Sequence, residues 1–345
     1  MTVRYTALPA PGLSARTRRI GLLVGLLVLL TAVVLAGLAV GAKEIPLAEV
    51  WSALFSPTGT ENDVVVRSLR VPRTLLGIAV GVALGMAGAL MQGHTRNPLA
   101  EPGLLGVSAG AAFLVVVGIH AFGVTGLTGY VWFAFAGAFG ASVLVFVLGS
   151  ASRDGATPVT LALAGVAVTV LLQALTSSLV LADTQTLDQY RFWSVGSLAG
   201  RDGDVTLQVL PFLLVGVGLA LANAPGLNLL SLGEDVARGL GVHLTATRWT
   251  GLAAITLLTG AATAACGPIA FVGLVVPHVC RAVTGPDHRW LVPASGLAGA
   301  VLLLGADIVG RVVVRPGELQ VGIVLALVGA PFFVALVRRR RLVTL

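Results

Sequence analysis

The chain has 345 residues, of which 56% are apolar and only 11% charged, with a net charge of +7. A soluble domain carries roughly 25% charged residues, so an ordinary soluble fold is excluded. The basic excess is a membrane-topology signal with no need for nucleic acid as a partner. Apolar runs of about 20 residues, each long enough to cross a bilayer as a helix and lacking the alternation of barrel strands, define an all-α polytopic membrane protein.

Ten spans are predicted in chain order: 20–41, 71–92, 98–119, 130–150, 158–181, 206–224, 247–266, 270–284, 291–312 and 319–337. Residues 1–19 then form an N-terminal tail, 20–337 the transmembrane domain and 338–345 a C-terminal tail. The first run follows Arg16, Arg18 and Arg19. It is longer than the roughly 7–15 apolar residues of a signal peptide and reads as a retained span. At the mouth of the second span Arg67, Arg70 and Arg73 recur every third residue, and such a rim can hold acidic groups of a partner or snorkel and pair locally. Within the span, Gly77, Gly81 and Gly85 make a stripe suited to close helix packing. Gln92–Gly103, with Asn97-Pro98 and Glu101-Pro102-Gly103, reads as a short rigid turn.

Leu227–Val242 is a polar unit between two apolar runs. Ser231 and Glu234 read as a capping box that starts a helix, and Gly239 as the C′ glycine that ends it. Val236 and Leu240 lie on one side, while Glu234, Asp235 and Arg238 offer charge. Such a helix suits docking in a groove of a soluble partner; the spacing alone serves an ordered connector equally well. Further on, Cys266 and Cys280 sit near opposite ends of successive spans, too far apart for a disulfide. Pro277 should bend the eighth span. Asp307 is the one acid placed well inside a span, four residues before Arg311 and able to pair with it along the helix.

With the N-terminus in the cytoplasm, the inner side holds Arg4, Arg16, Arg18, Arg19, Arg96, Arg153, Arg238, Arg248, Arg281, Arg289 and Arg338 to Arg341. The outer side holds Lys43, Arg67, Arg70, Arg73, Arg191, Arg201, Arg311 and Arg315. The larger inner set places both termini and the 231–238 helix in the cytoplasm. Lys43 is the single lysine, so no P-loop G-x-x-x-x-G-K-[ST] exists and the chain is no P-loop ATPase. His94, His120, His243, His278 and His288 have no ligand spacing. No nucleophile elbow or paired intramembrane acids occur, so no catalytic or metal residue is assigned. A proton-coupled carrier would need coupling acids within the spans, and Asp307 is the sole candidate.

Taken together, several long motifs resemble the FecCD-type permease family, the membrane subunits of importers for ferric siderophores, haem and vitamin B12. They are Arg70–Gly110, Leu161–Val168, Arg191–Arg201, Leu227–Val242, Gly267–Arg289 and Ala306–Phe333. The resemblance implies ten transmembrane helices, two permease subunits around a central pathway, and two separate ATPase subunits that carry ATP and magnesium. It also implies an extracytoplasmic binding protein and residence in a bacterial cytoplasmic membrane, with no cofactor on this chain. Residues 228–240 match the family's coupling helices, with Gly233, Glu234, Ala237 and Gly239 on the motif and Ser231 and Arg238 beside them. Arg70, Arg73 and Arg311 match positions that pair with glutamates of the binding protein. The fifth and tenth spans are expected to line the pathway. Thr157-Pro158-Val159-Thr160 departs from the hydroxyl run of the family's inner gate. The cargo expected from the resemblance is a ferric siderophore, with haem or vitamin B12 as alternatives.

Overall fold

A computed structural model describes residues 15–124, 126–151 and 157–338. Arg4, Arg153, Arg339, Arg340 and Arg341, and with them most of the two predicted tails, lie outside the described residues. All regular structure among the described residues is helical.

In order, the elements are α1 (Ala15–Ala39), α2 (Leu47–Phe55), α3 (Glu61–Val64), a π-helical stretch Val65–Arg70, and α4 (Val71–Thr95). A 3₁₀ turn (Pro102–Leu105) leads to α5 (Val107–Phe122), α6 (Leu127–Ser150), α7 (Pro158–Ala182), α8 (Thr184–Ser194) and α9 (Gly203–Leu230). The chain closes with α10 (Glu234–Gly239), α11 (Leu244–Cys266), α12 (Val272–Thr284), α13 (His288–Val313) and α14 (Val321–Arg338). Among the described residues, eight helices are long and apolar enough to cross a membrane. The two other predicted spans are α5 and α12, shorter apolar helices of 16 and 13 residues. Pro277 sits inside α12 without ending it.

The bundle is built around α4, which packs on α9, α11, α12 and α13. Lipid chains are as apolar as leucine, so association there relies on close packing rather than on the hydrophobic effect. Glycine supplies the closeness. A methyl on Gly81 would stand 2.5 Å from Ala300 Cα, and one on Gly85 would overlap the Ser295 carbonyl. Gly88 meets Gly273 in the same way, and Gly110 meets Gly137 between α5 and α6. The stripe read from the sequence is thus the α4–α13 seam, continued onto α12. In contrast, α1 is only 11% buried and α7 only 17% over their most apolar windows.

Three elements were not anticipated. The α2–α3 segment folds over the start of α4, where Thr60 and Asp63 form a capping box. Helix α8 begins on Asp183, whose carboxylate accepts from Thr186 N (2.8 Å) and the Thr186 hydroxyl (2.5 Å); these bonds hold it below the usual carboxylate range. The 92–103 break turns back into the protein. Gln92 is still helical and fully buried, donating to the carbonyls of Gly273 and Leu274 at 3.3 Å each. Glu101 accepts from the Phe271 N–H at 2.6 Å, capping the start of α12. Burial pushes the Glu101 carboxyl up and that hydrogen bond pulls it part of the way back. Cys266 and Cys280 are buried and free.

Candidate functional site

Two polar clusters stand at opposite ends of the bundle. The first gathers at the end of α1 and the start of α4. Helix α1 finishes with carbonyls that have no intrahelical donor. Arg70 Nη1 donates to Leu38 O (2.6 Å) and Ala39 O (2.8 Å), and its Nη2 to Lys43 O. Arg311 Nη1 donates to Gly37 O and Val40 O, both at 3.0 Å. Two guanidinium groups therefore cap one helix C-terminus, where cations are favoured by the helix dipole. Arg73 grips Asp307 through Nη2 (2.8 Å) and Nε (3.1 Å) and reaches Glu318 through Nη1 (2.7 Å). Arg311 Nε lies 3.2 Å from Asp307 Oδ2, the pairing along the helix that the spacing allowed.

Within this chain Arg70, Arg73 and Arg311 are engaged with α1 carbonyls and with Asp307 and Glu318. Arg70 is 6% exposed and Arg311 4%; Arg70 donates to the carbonyls of Leu38, Ala39 and Lys43, and Arg311 Nη1 to those of Gly37 and Val40. The cause of the Arg70 burial is the π-helical stretch ahead of α4. It continues the helix outward, so that Glu61–Thr95 runs as one 35-residue span, and turns Arg70 inward while Arg67 stays exposed. What faces outward is a recess of about 420 Å³ whose charged lining is Lys43, Arg70, Arg73, Arg201 and Arg311 against Glu61, Asp202 and Glu318.

At the opposite end sits α10, again with corrected boundaries. Ser231 is not its N-cap. It holds helical dihedrals that continue α9 (φ −63°, ψ −22°), and its hydroxyl donates back to Asn228 O at 2.7 Å. The N-cap is Gly233 at φ 107°, with no side-chain cap. Glu234 spends its carboxylate on Arg248 of α11 at 2.5 Å. Gly239 is the last helical residue, and the left-handed glycine is Gly241 at φ 83°. Gly241 N bonds Arg238 O (3.1 Å) and Val242 N bonds Ala237 O (3.0 Å), a Schellman closure two residues later than expected. Ala237 is fully buried and anchors the helix, whereas Leu232, Val236 and Leu240 are exposed on its outer side. Arg238 pairs loosely with Asp235 at 3.7 Å.

Behind α10 a polar network ties three helices, α4, α9 and α11. Arg96 Nη2 donates to Leu230 O at 2.7 Å. His94 Nε2 lies 2.9 Å from Asn223 Oδ1, and Asn223 Nδ2 donates to Thr247 O and Thr250 Oγ1, both at 2.7 Å. That orientation assigns the His94 proton to Nε2. A cavity of about 140 Å³ opens here, bordered by His94, Arg96, Leu230, Glu234 and Arg248. Thr157 and Thr160 form a capping box that starts α7. No cluster of three or more metal-ligating side chains occurs among the described residues.

A glycine-seamed bundle of long apolar helices, with a charged recess at one end and a short amphipathic helix at the other, defines a polytopic membrane protein. The comparisons with known proteins specify it. The profile of the FecCD transport family matches residues 28–339, and the chain belongs to that family. It is 47% identical over 316 residues to the ferric enterobactin transport system permease protein FepD of Escherichia coli (strain K12), covering 92% of this chain and 94% of that one. It is 38% identical to the hemin transport system permease protein HmuU of Yersinia pestis, covering 92% and 95%. A solved structure described as an inward-facing metal-chelate type ABC transporter superposes with a TM-score of 0.81 at 31% identity, over 93% of this chain and 99% of that one. The protein is thus a multi-pass permease subunit of an ATP-binding-cassette importer. It is not itself an ATPase, and its family works with separate ATPase and binding-protein partners.

Proposed function

We propose that this permease carries a ferric siderophore across the cytoplasmic membrane of a bacterium, with both termini and α10 on the cytoplasmic side. The observation that carries the cargo assignment is the 47% identity to a ferric enterobactin permease across nearly the whole chain.

Two copies, or this chain and a related permease, pair so that the weakly buried α7 and α14 face the pathway. The ATPase grips α10 from below. Leu232, Val236 and Leu240 enter its groove, Ala237 holds the helix to the bundle, and Glu234 passes displacement to α11 through Arg248. Gly233 and Gly241 set the entry and exit of the helix, with Ser231, Arg238 and Gly239 completing the coupling segment. On the outer side the binding protein settles over the recess lined by Arg70, Arg73 and Arg311. Since Arg70 and Arg311 are buried and Arg73 is paired with Asp307 and Glu318, they act through the positive potential of the recess, which sets association rate and registration more than affinity. Asp307 is spent on Arg73 and Arg311, which argues against a proton-coupled carrier.

The test is uptake into proteoliposomes holding the permease with its ATPase and binding protein. ATP-dependent accumulation of a ferric siderophore, in preference to haem or cobalamin, is expected. Preference for haem or cobalamin would replace the cargo assignment, and uptake on an ion gradient without nucleotide would end the importer mechanism.

A further inference from the structure

Arg281 stands apart from the other buried arginines. Arg70 and Arg311 donate to carbonyls, and Arg201 Nε reaches Ser197 O at 3.3 Å. Arg281 is 2% exposed, yet Nε, Nη1 and Nη2 all lack a hydrogen-bond partner. It also makes no ion pair among the described residues. A guanidinium cannot shed its proton, so the charge persists. Removing one uncompensated charge from water costs several kcal/mol after relaxation.

The surroundings offer it no acid. Asp287, the carboxylate near α13's first turn, is committed to Arg19 Nη1 (3.4 Å), Asn228 Nδ2 (2.7 Å) and Arg289 N (3.1 Å). Two imidazoles lie close enough to feel the Arg281 charge. His278 is one turn earlier on α12, and its Nδ1 is also buried without a partner. His288 turns Nδ1 to Asn228 Oδ1 at 3.0 Å, while its Nε2 is buried and unpartnered. Water can satisfy N–H groups, but only an anion can also neutralise the charge.

We propose that Arg281 holds a small monovalent anion of chloride size between α12 and α13. The single guanidinium matches a single negative charge. At 2% exposure it is closed to a lipid headgroup or to a side chain of a partner. The bound anion ties the α10-side end of α12 to its neighbours and completes an otherwise uncompensated core.

The experiment uses the full chain in nanodiscs, with thermal unfolding followed in chloride–gluconate mixtures at constant ionic strength. The expected result is a saturable rise in Tm with chloride that Arg281→Met abolishes. Arg281→Lys keeps the charge but loses the fork, and should need at least ten-fold more chloride for half-saturation. If neither variant folds, crystals of the unaltered protein grown in bromide decide the matter. An anomalous bromide peak against the Arg281 guanidinium supports the site; ordered water alone there overturns it. Halide-independent Tm in the unaltered protein, or the same chloride response in Arg281→Met, also overturns it.

Discussion

Replacing Gly81 by alanine isolates the packing that holds α4 to α13. The added methyl would stand 2.5 Å from Ala300 Cα and 2.7 Å from both Ala300 N and Gly299 O, all backbone atoms. Ordinary contact begins at 3.4 Å, so the two helices must separate by about 0.9 Å, because backbone cannot rotate away. A gap of that size forfeits about a quarter to a half of each dispersion contact along the seam. The cost expected is about 3 kcal/mol, the upper part of the range for overpacking. Gly77→Ala is the matched control. Its methyl also lands at 2.5 Å, but from Leu304 Cδ2, the far end of a flexible side chain, so about 1 kcal/mol is expected. Gly305→Ala on α13 meets nothing within 4 Å and should be neutral or stabilising by up to about 1 kcal/mol, the propensity gain of alanine. The assay is thermal unfolding of the three variants in identical nanodiscs, with Gly81→Ala expected to lose roughly 5 °C or more. Equal losses for Gly81→Ala and Gly77→Ala would refute the distinction between backbone and side-chain obstruction. A loss in Gly305→Ala matching either would refute the seam itself.

Asp307→Asn strips the shared carboxylate from Arg73 and Arg311 and should cost about 3–5 kcal/mol, as expected when one member of a buried ion network is removed; a loss under about 1 kcal/mol in chemical denaturation contradicts that. Glu234→Arg and Arg248→Glu each break a half-exposed pair, so stability should move by less than about 1 kcal/mol while ATP-driven uptake falls. The double swap should restore uptake, and failure of rescue with both proteins folded removes the pair from the transmission route. Leu232→Glu with Val236→Glu should abolish copurification of the ATPase while leaving the permease folded; full retention of the ATPase argues for a different docking face. For Glu101 the sign is set by burial, which raises its folded-state pKa above the unfolded value. The folded state then holds the proton more tightly, so stability declines as pH rises from the unfolded pKa, roughly 4.3, through the raised value. Glu101→Gln can still accept from Phe271 N–H and should flatten this dependence above the unfolded carboxylate pKa; an unchanged slope in Tm against pH would exclude Glu101 as its source.

The helices were legible because lipid demands long apolar runs, and the glycine stripe was legible because it repeats every fourth residue. The misreadings share a cause. Ser231 followed by Glu234 satisfies the capping pattern, yet α9 runs on to Leu230 and carries Ser231 with it, so the hydroxyl faces the wrong turn. The pairing of Arg311 with Asp307 was legible from their spacing, whereas the burial of Arg70 was not, because the second span was started at residue 71 and the π-helical stretch Val65–Arg70 lay outside it. Helix α8 contains Asp188 and Arg191 and lacks an apolar run, so hydropathy passed over it. Glu101 and Arg281 were invisible as buried charges because each lies near a turn, where sequence suggests water and only tertiary contact removes it.

Helix α1 packs along α13 and carries polar fastenings at both tips. Arg70 and Arg311 hold one end by its carbonyls, and Arg19 holds the other by bonding Thr284 O at 2.9 Å. Between these moorings most of its residues look away from the bundle. Its lipid-facing positions are therefore free to drift through almost any greasy sequence, while its packed side, with Leu22, Leu23 and Leu26, and three arginines, two of them belonging to other elements, fix its place.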